Sequence, residues 1–209
     1  MNRIIKKILL FIVIVFSLFS YNDIDLDKNI EVLQEINKDI IGVIYYCNKE
    51  NIILQSYDNN YYMNHNYLNS ISYSGEIFLD YRNNIDDKIL IIYGHNSSIY
   101  DTGFSVLEKY LNENYYYDNR YIKIRFENKI NTYEIISIFV EDNNYSYLNL
   151  NINNYLNHYN YLVSKSIYEI DIDLLDEDKI LIIQTCSNIK DGSYLVLVSK
   201  LIKEDKYDR

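Results

Sequence analysis

A thiol and an imidazole, each delivered by an apolar run to the start of a polar loop, are the residues of this chain best suited to covalent chemistry. Cys186 ends the segment Lys179-Ile180-Leu181-Ile182-Ile183-Gln184-Thr185-Cys186, and His95 follows Ile89-Leu90-Ile91-Ile92-Tyr93 through Gly94. A thiolate that attacks a carbonyl, with an imidazole to handle the leaving amine's proton, performs acyl transfer. A lone cysteine and a lone histidine also occur as two unrelated buried residues, so spacing leaves both readings open. Neither of the other histidines follows a strand-like run: His65 lies in the polar stretch Tyr62-Met63-Asn64-His65-Asn66, and His158 lies in a helical run beside Tyr159. Cys47, after Val43-Ile44-Tyr45-Tyr46, reads as a small buried hydrophobe in a strand. A disulfide between Cys47 and Cys186 would block the nucleophile and is not expected.

The composition bounds what surrounds these two groups. A chain of 209 residues suits one domain with a short appendage, and 48% hydrophobic with 24% charged residues is a globular balance. The 25 tyrosines and the absence of proline and tryptophan, together with abundant Asn, Ile and Lys, look like AT-biased coding. A single tyrosine therefore carries little functional weight. A formal net charge of -10 without a basic cluster argues against nucleic acid as a partner. No CxxC spacing or multi-cysteine framework is present, and no cofactor or metal is expected.

At the amino terminus Arg3, Lys6 and Lys7 precede residues 8–19, which contain one polar residue, Ser17. Charge followed by an apolar stretch is the order of a signal sequence or signal anchor. The region around Ser20-Tyr21-Asn22 lacks the small residues of a cleavage site, which favours a retained anchor. The expected organisation is a basic and anchoring segment over 1–21, entering the membrane through residues 4–20, a linker over 22–28 and one domain over 29–209. The domain would then stand outside the cell on a single-pass anchor in the cell membrane.

Ile30, Leu33, Ile36 and Ile40 recur at helical spacing and predict a helix over 29–39, stopped by Gly42. Short β-like runs follow at 43–47, 52–55, 76–80, 89–93, 121–126, 132–140, 180–185 and 194–202, separated by Asn, Asp and Gly. This pattern predicts a mostly β barrel or sandwich. Two helical insertions interrupt it, at 104–111 (Phe104, Leu107, Tyr110 and Leu111 on one face) and at 153–165 (Tyr155, Leu156, Tyr159 and Leu162).

Three stretches in order resemble the class B sortases of Gram-positive bacteria: Gly75-Glu76-Ile77-Phe78-Leu79-Asp80-Tyr81-Arg82-Asn83, Ile91-Ile92-Tyr93-Gly94-His95-Asn96 and Ile182-Ile183-Gln184-Thr185-Cys186. Asn37-Lys38-Asp39-Ile40-Ile41-Gly42 and the run from Gln55 to Tyr62 also look like the family's amino-terminal region. The resemblance implies a closed eight-stranded β-barrel with an amino-terminal helix, helical insertions and a preceding membrane anchor. It further implies a cysteine transpeptidase that cleaves an N-P-x-T-x-type sorting motif of a surface protein and transfers it, through a thioacyl-enzyme, to a peptidoglycan amine. Cys186 takes the place of the nucleophile and His95 that of the general acid/base, while Tyr93, Gln184, Thr185 and Ser187 fall at positions near the bound peptide. Class B members need no calcium, so Asp171, Asp173, Asp176, Glu177 and Asp178 read as a solvated loop.

One position departs from the pattern. The family places an arginine at the start of the strand after the cysteine loop, and this chain has Tyr194 there. A phenol donates one hydrogen bond but lacks the permanent charge and the fork of a guanidinium, and loss of one oxyanion donor typically costs about 10²–10³ in turnover. Lys190 could swing in from the cysteine loop, Arg125 could reach over from a neighbouring strand, or Tyr194 could support a slower transpeptidase by itself. The alternative is a sortase-fold peptide-binding or regulatory protein without efficient turnover. Gln184 also stands where the family usually carries serine, which would re-polarise the groove.

Overall fold

The computed structural model describes residues 25–97, 102–142 and 144–207. Eight strands, β1 (Ile40–Tyr46), β2 (Lys49–Leu54), β3 (Phe78–Leu79), β4 (Ile89–Tyr93), β5 (Tyr121–Arg125), β6 (Lys129–Glu141), β7 (Ile180–Cys186) and β8 (Tyr194–Lys206), close into one barrel. Their order around it is β1-β2-β3-β4-β7-β8-β6-β5. Each strand coincides with one of the eight apolar runs. Three short helices accompany them: α1 (Ile30–Gln34), α2 (Glu113–Asp118) and α3 (Tyr155–Ser164).

β4 and β7 are paired in parallel, and both read as unbroken apolar runs because both of their faces are covered. Leu90, Ile92, Leu181 and Ile183 enter a core to which all eight strands contribute, closed at one end by Phe104, Leu107 and Tyr110. Ile89, Ile91, Ile180 and Ile182 point the other way, into a second core covered by α1 and α3 through Leu33, Tyr159 and Leu162. Between them these side chains leave the polar ends of β4 and β7 as the exit from two dry layers.

Three local expectations are corrected. The first helix spans five residues rather than 29–39, because Asn37 turns the chain. Its Oδ1 accepts from the Asp39 amide at 2.9 Å, while its Nδ2 donates to Tyr62 Oη and the Tyr67 carbonyl, offering the backbone an alternative to helix. Gly42 lies inside β1 at a register shift, where a Cβ would come within 2.8 Å of the Arg125 carbonyl, and does not end a helix. Cys47 is not in a strand: with φ 49° and Asn48 at φ 58°, it forms the two-residue turn joining β1 to β2. It is half-buried, and its Sγ donates to Tyr110 Oη at 3.1 Å.

The insertion at 104–111 is a 3-10 turn, Leu107–Leu111, and the one at 153–165 is α3, capped by Asn154 accepting from Asn157 N. Among the described residues no helix is long and apolar enough to cross a membrane. The anchor expected over residues 4–20 lies outside the described residues. The linker is described from Asp25 onward, and the Leu26 carbonyl accepts from Arg125 Nη2.

Candidate active site

Tyr93 and Gln184 are neighbours in the parallel β4/β7 register, so both strands leave the sheet at the same end. The chain continues as Gly94-His95 on one side and Thr185-Cys186 on the other. Two hydrogen bonds tie these exits together: Thr185 Oγ1 donates to the Gly94 carbonyl at 2.8 Å, and Asn96 Nδ2 donates to the Cys186 carbonyl at 3.0 Å. Residue 94 must be glycine here, because a Cβ would come within 2.6 Å of the Phe104 ring. The Phe104 amide in turn donates to the His95 carbonyl at 3.1 Å, closing the loop behind the imidazole.

The imidazole is oriented from a third segment. His95 Nε2 lies 2.7 Å from the Met63 carbonyl. A carbonyl only accepts, so Nε2 carries the hydrogen and Nδ1 is the nitrogen left for chemistry. Gly75 lies beneath this arrangement at φ 54°, where a Cβ would approach the Tyr62 and Met63 carbonyls at 2.6 and 2.8 Å and the His95 ring at 3.0 Å. His65 and His158 take no part. His65 stacks on Tyr61 with centroids 4.2 Å apart, and the half-buried His158 sits on α3 with its pKa lowered by burial.

Cys186, the last residue of β7, is an exposed free thiol. Burial of the sulfur by its neighbours raises its pKa, so the thiol form dominates at neutral pH. Directly opposite it on β8 stands Tyr194, and opposed residues of an antiparallel pair project to the same face with Cβ atoms about 5 Å apart. The Tyr194 ring packs edge-on against Tyr145, with centroids 5.8 Å apart. Burial, then Tyr145 and the nearby thiol, raise the Tyr194 pKa, which keeps the phenol protonated as a donor.

Both candidate replacements for the arginine hold other partners. Lys190 is ion-paired with Asp142 on the exposed rim. Arg125, on β5, is separated from β7 by β6 and β8; it is 3% exposed and bonded to Tyr45 Oη and the Leu26 carbonyl, with the Tyr207 ring over its guanidinium. Two of the expected peptide contacts also turn away. Thr185 is buried with its hydroxyl spent on Gly94, and Ser187 is buried with its Oγ accepting from the Ile189 amide.

Tyr93 and Gln184 lie on the same outer face as Cys186, within a polar network that the sequence did not reveal. Asp80 is fully buried and accepts two bonds from the Arg82 guanidinium, at 2.8 and 2.7 Å, and one each from Tyr93 Oη and Asn59 Nδ2. Burial alone would raise the Asp80 pKa, but these donors outweigh it and hold the carboxyl below its ordinary range. The Tyr93 hydroxyl is therefore committed to Asp80. Gln184 Oε1 accepts from Tyr147 Oη at 2.7 Å. Tyr147 was hidden in a polar, asparagine-rich stretch of a tyrosine-rich chain, and only its complete burial singles it out. Among the described residues no group of three or more His, Cys, Asp or Glu side chains is placed to hold a metal ion.

A closed eight-stranded barrel with a thiol and an imidazole leaving adjacent parallel strands defines a narrow structural class, and comparison with known proteins identifies it. No family model matches the chain. Sortase B of Listeria monocytogenes is 32% identical over 181 residues, covering 81% of this chain and 72% of that protein. The crystal structure of Clostridium perfringens sortase B superposes with a TM-score of 0.78 at 33% identity, over 83% of this chain and 99% of that one. A Staphylococcus aureus sortase B–substrate complex gives 0.77 at 27% identity, over 83% and 84%. A sortase B complexed with triglycine gives 0.76 at 26% identity, over 83% and 85%. The chain belongs to the sortase B family.

Proposed function

We propose that the protein is a membrane-anchored cysteine transpeptidase with Cys186 as nucleophile and His95 as general acid/base. The observation that carries this reading is the double tie between the two strand exits, Thr185 to Gly94 and Asn96 to Cys186, which holds the thiol and imidazole loops side by side. In the reacting form the sulfur is a thiolate and His95 an imidazolium with its mobile proton on Nδ1. Because the thiol pKa is raised, that pair is a minority species in the free protein.

The thiolate attacks the scissile carbonyl of an N-P-x-T-x-type sorting motif. As the C–N bond breaks, Nδ1 gives its proton to the departing amine and a thioester remains on Cys186. A peptidoglycan amine then attacks the thioester, Nδ1 takes the proton it loses, a new amide forms and the thiolate leaves. The existence of a sortase B–substrate complex and of a sortase B complex with triglycine supports a peptide donor and an amine acceptor. Residues 4–20 serve as a single-pass anchor in the cell membrane, with the barrel outside the cell. Tyr194 offers a neutral donor where the family has arginine.

A second reading has an observation in its favour. Among the described residues Lys190 and Arg125 are both engaged by other partners, which fits a peptide-binding or regulatory protein of low turnover. Incubating the full chain in detergent with N-P-x-T-x peptides and measuring intact mass separates the two. An acyl adduct that disappears in Cys186→Ala and slows in His95→Ala supports the enzyme. No adduct with the wild type, but one with Tyr194→Arg, establishes the second reading.

A further inference from the structure

Alternation along β7 sends Ile180, Ile182, Gln184 and Cys186 to the outer face, so Gln184 lies one pleat before the thiol on the same surface. The ladder places it in a cross-strand row with Phe78, Tyr93, Val196 and Phe139, drawn from β3, β4, β8 and β6. Gln184 is the single amide in that row. Its neighbours present rings and methyl groups, and the Tyr93 hydroxyl is already spent on Asp80.

The two ends of this amide are distinguished by Tyr147. That phenol is fully buried, packed edge-on against Phe139 with centroids 5.8 Å apart, and burial keeps it protonated. A buried O–H needs an acceptor, and Gln184 Oε1 at 2.7 Å supplies it. The carbonyl end is therefore engaged, and Nε2 of the partly exposed Gln184 carries two N–H donors with no partner among the described residues.

We infer that Gln184 is a specificity-determining residue that presents Nε2–H₂ to a hydrogen-bond acceptor on the peptide, and that Tyr147 is the positioning residue that fixes its amide. The side chain selected is an amide or carboxylate (Asn, Gln, Asp or Glu), and a cationic one is rejected because two donors would then face each other. This inference rests on the peptide-transferring reading proposed above. A carboxylate at 184 would keep one oxygen for Tyr147 and turn the other toward the groove, converting a donor site into an acceptor site.

The test uses the full chain in detergent and two peptide sets, one for each variable position of N-P-x-T-x, with that position replaced in turn by Gln, Glu, Leu or Lys. The wild type is expected to be acylated about tenfold faster by acceptor side chains than by Lys at one position. Gln184→Glu is expected to invert that order at the same position and leave the other unchanged. Tyr147→Phe is expected to erase the preference through KM while kcat holds, a split that general loosening of the fold would not produce. An unchanged ranking in Gln184→Glu, with acylation at the wild-type rate, overturns the inference. Should no peptide acylate the wild type, the transpeptidase reading fails and binding of the same sets to Cys186→Ala decides. An inverted affinity order in Cys186→Ala/Gln184→Glu then sustains the role of Gln184, and an unaltered order or no binding overturns it.

Discussion

Cys186 and Tyr194 are directly opposed residues of the antiparallel β7/β8 pair, so the exposed thiol faces a phenol across a single rung of the ladder. Burial raises the pKa of both groups, and each is neutral at pH 7. The pair is thus a donor beside a thiol, not a cation beside a thiolate.

Replacing Tyr194 by arginine places a permanent charge on that rung. A nearby cation favours the thiolate, so the thiol pKa falls and the rise of reactivity with pH moves to lower pH. The expected result is a shift of about one unit in the pH dependence of iodoacetamide alkylation at Cys186, and a rate at pH 7 about tenfold higher. An unshifted curve in a folded variant would show that residue 194 does not face the sulfur.

Gly75→Ala tests the seat of the imidazole. At φ 54° alanine is strained, and its Cβ would meet the Met63 carbonyl that holds His95 Nε2. We expect a stability loss of about 1–3 kcal/mol and acylation more than tenfold slower per folded molecule. Urea unfolding and the single-turnover rate measure the two separately; a normal rate in the folded variant would detach Met63 from the function of His95.

Glu76 sets a pH dependence of stability. Burial raises its carboxyl to about 7, only partly opposed by the Tyr67 amide at 3.1 Å. The folded value lies above the unfolded value of about 4.3, so the stabilisation is complete below that unfolded pKa and is lost as pH rises through 7. Gln keeps the acceptor for Tyr67 and never ionises. Glu76→Gln should therefore match the wild type at pH 4 and exceed it at pH 8 by on the order of 1–2 kcal/mol. Urea midpoints at both pH values check this, and a gap that does not change with pH would refute it.

Arg125 is expected to matter for folding alone. Methionine would fill part of its volume but leave the Leu26 carbonyl and Tyr45 hydroxyl without their donor. A loss of about 1–3 kcal/mol in unfolding free energy is expected, with alkylation of Cys186 unaffected. A tenfold drop in that alkylation with the fold intact would place Arg125 at the site after all.

How much of this was legible beforehand depends on which physical signal each element leaves. All eight strands announced themselves, because covered faces demand apolar side chains in runs or alternation. The outer reach of β6 and β8, from Lys129 to Asn131 and from Lys203 to Lys206, lies beyond the apolar runs: those residues are largely polar, and only the pairing of the two strands makes them strand. Helix α2 was missed for a related reason, since Glu113-Asn114-Tyr115-Tyr116-Tyr117-Asp118 has no apolar period and is marked mainly by Asn112 capping Tyr115.

By itself the sequence determined the barrel's strands, the pairing of Cys186 with His95 as candidates and the absence of an arginine at 194, because these depend on residue type and order along the chain. Tertiary structure alone decided which polar atoms were already spent. Closure of the barrel put β5 away from β7 and tied Arg125 to Leu26, drew Lys190 to Asp142 and turned Thr185 inward. It also set Tyr147 on the carbonyl of Gln184 and Met63 on Nε2 of His95. Hydrogen bonds between residues tens of positions apart leave no periodicity for a sequence to display, yet they determine which donors and acceptors remain at the groove.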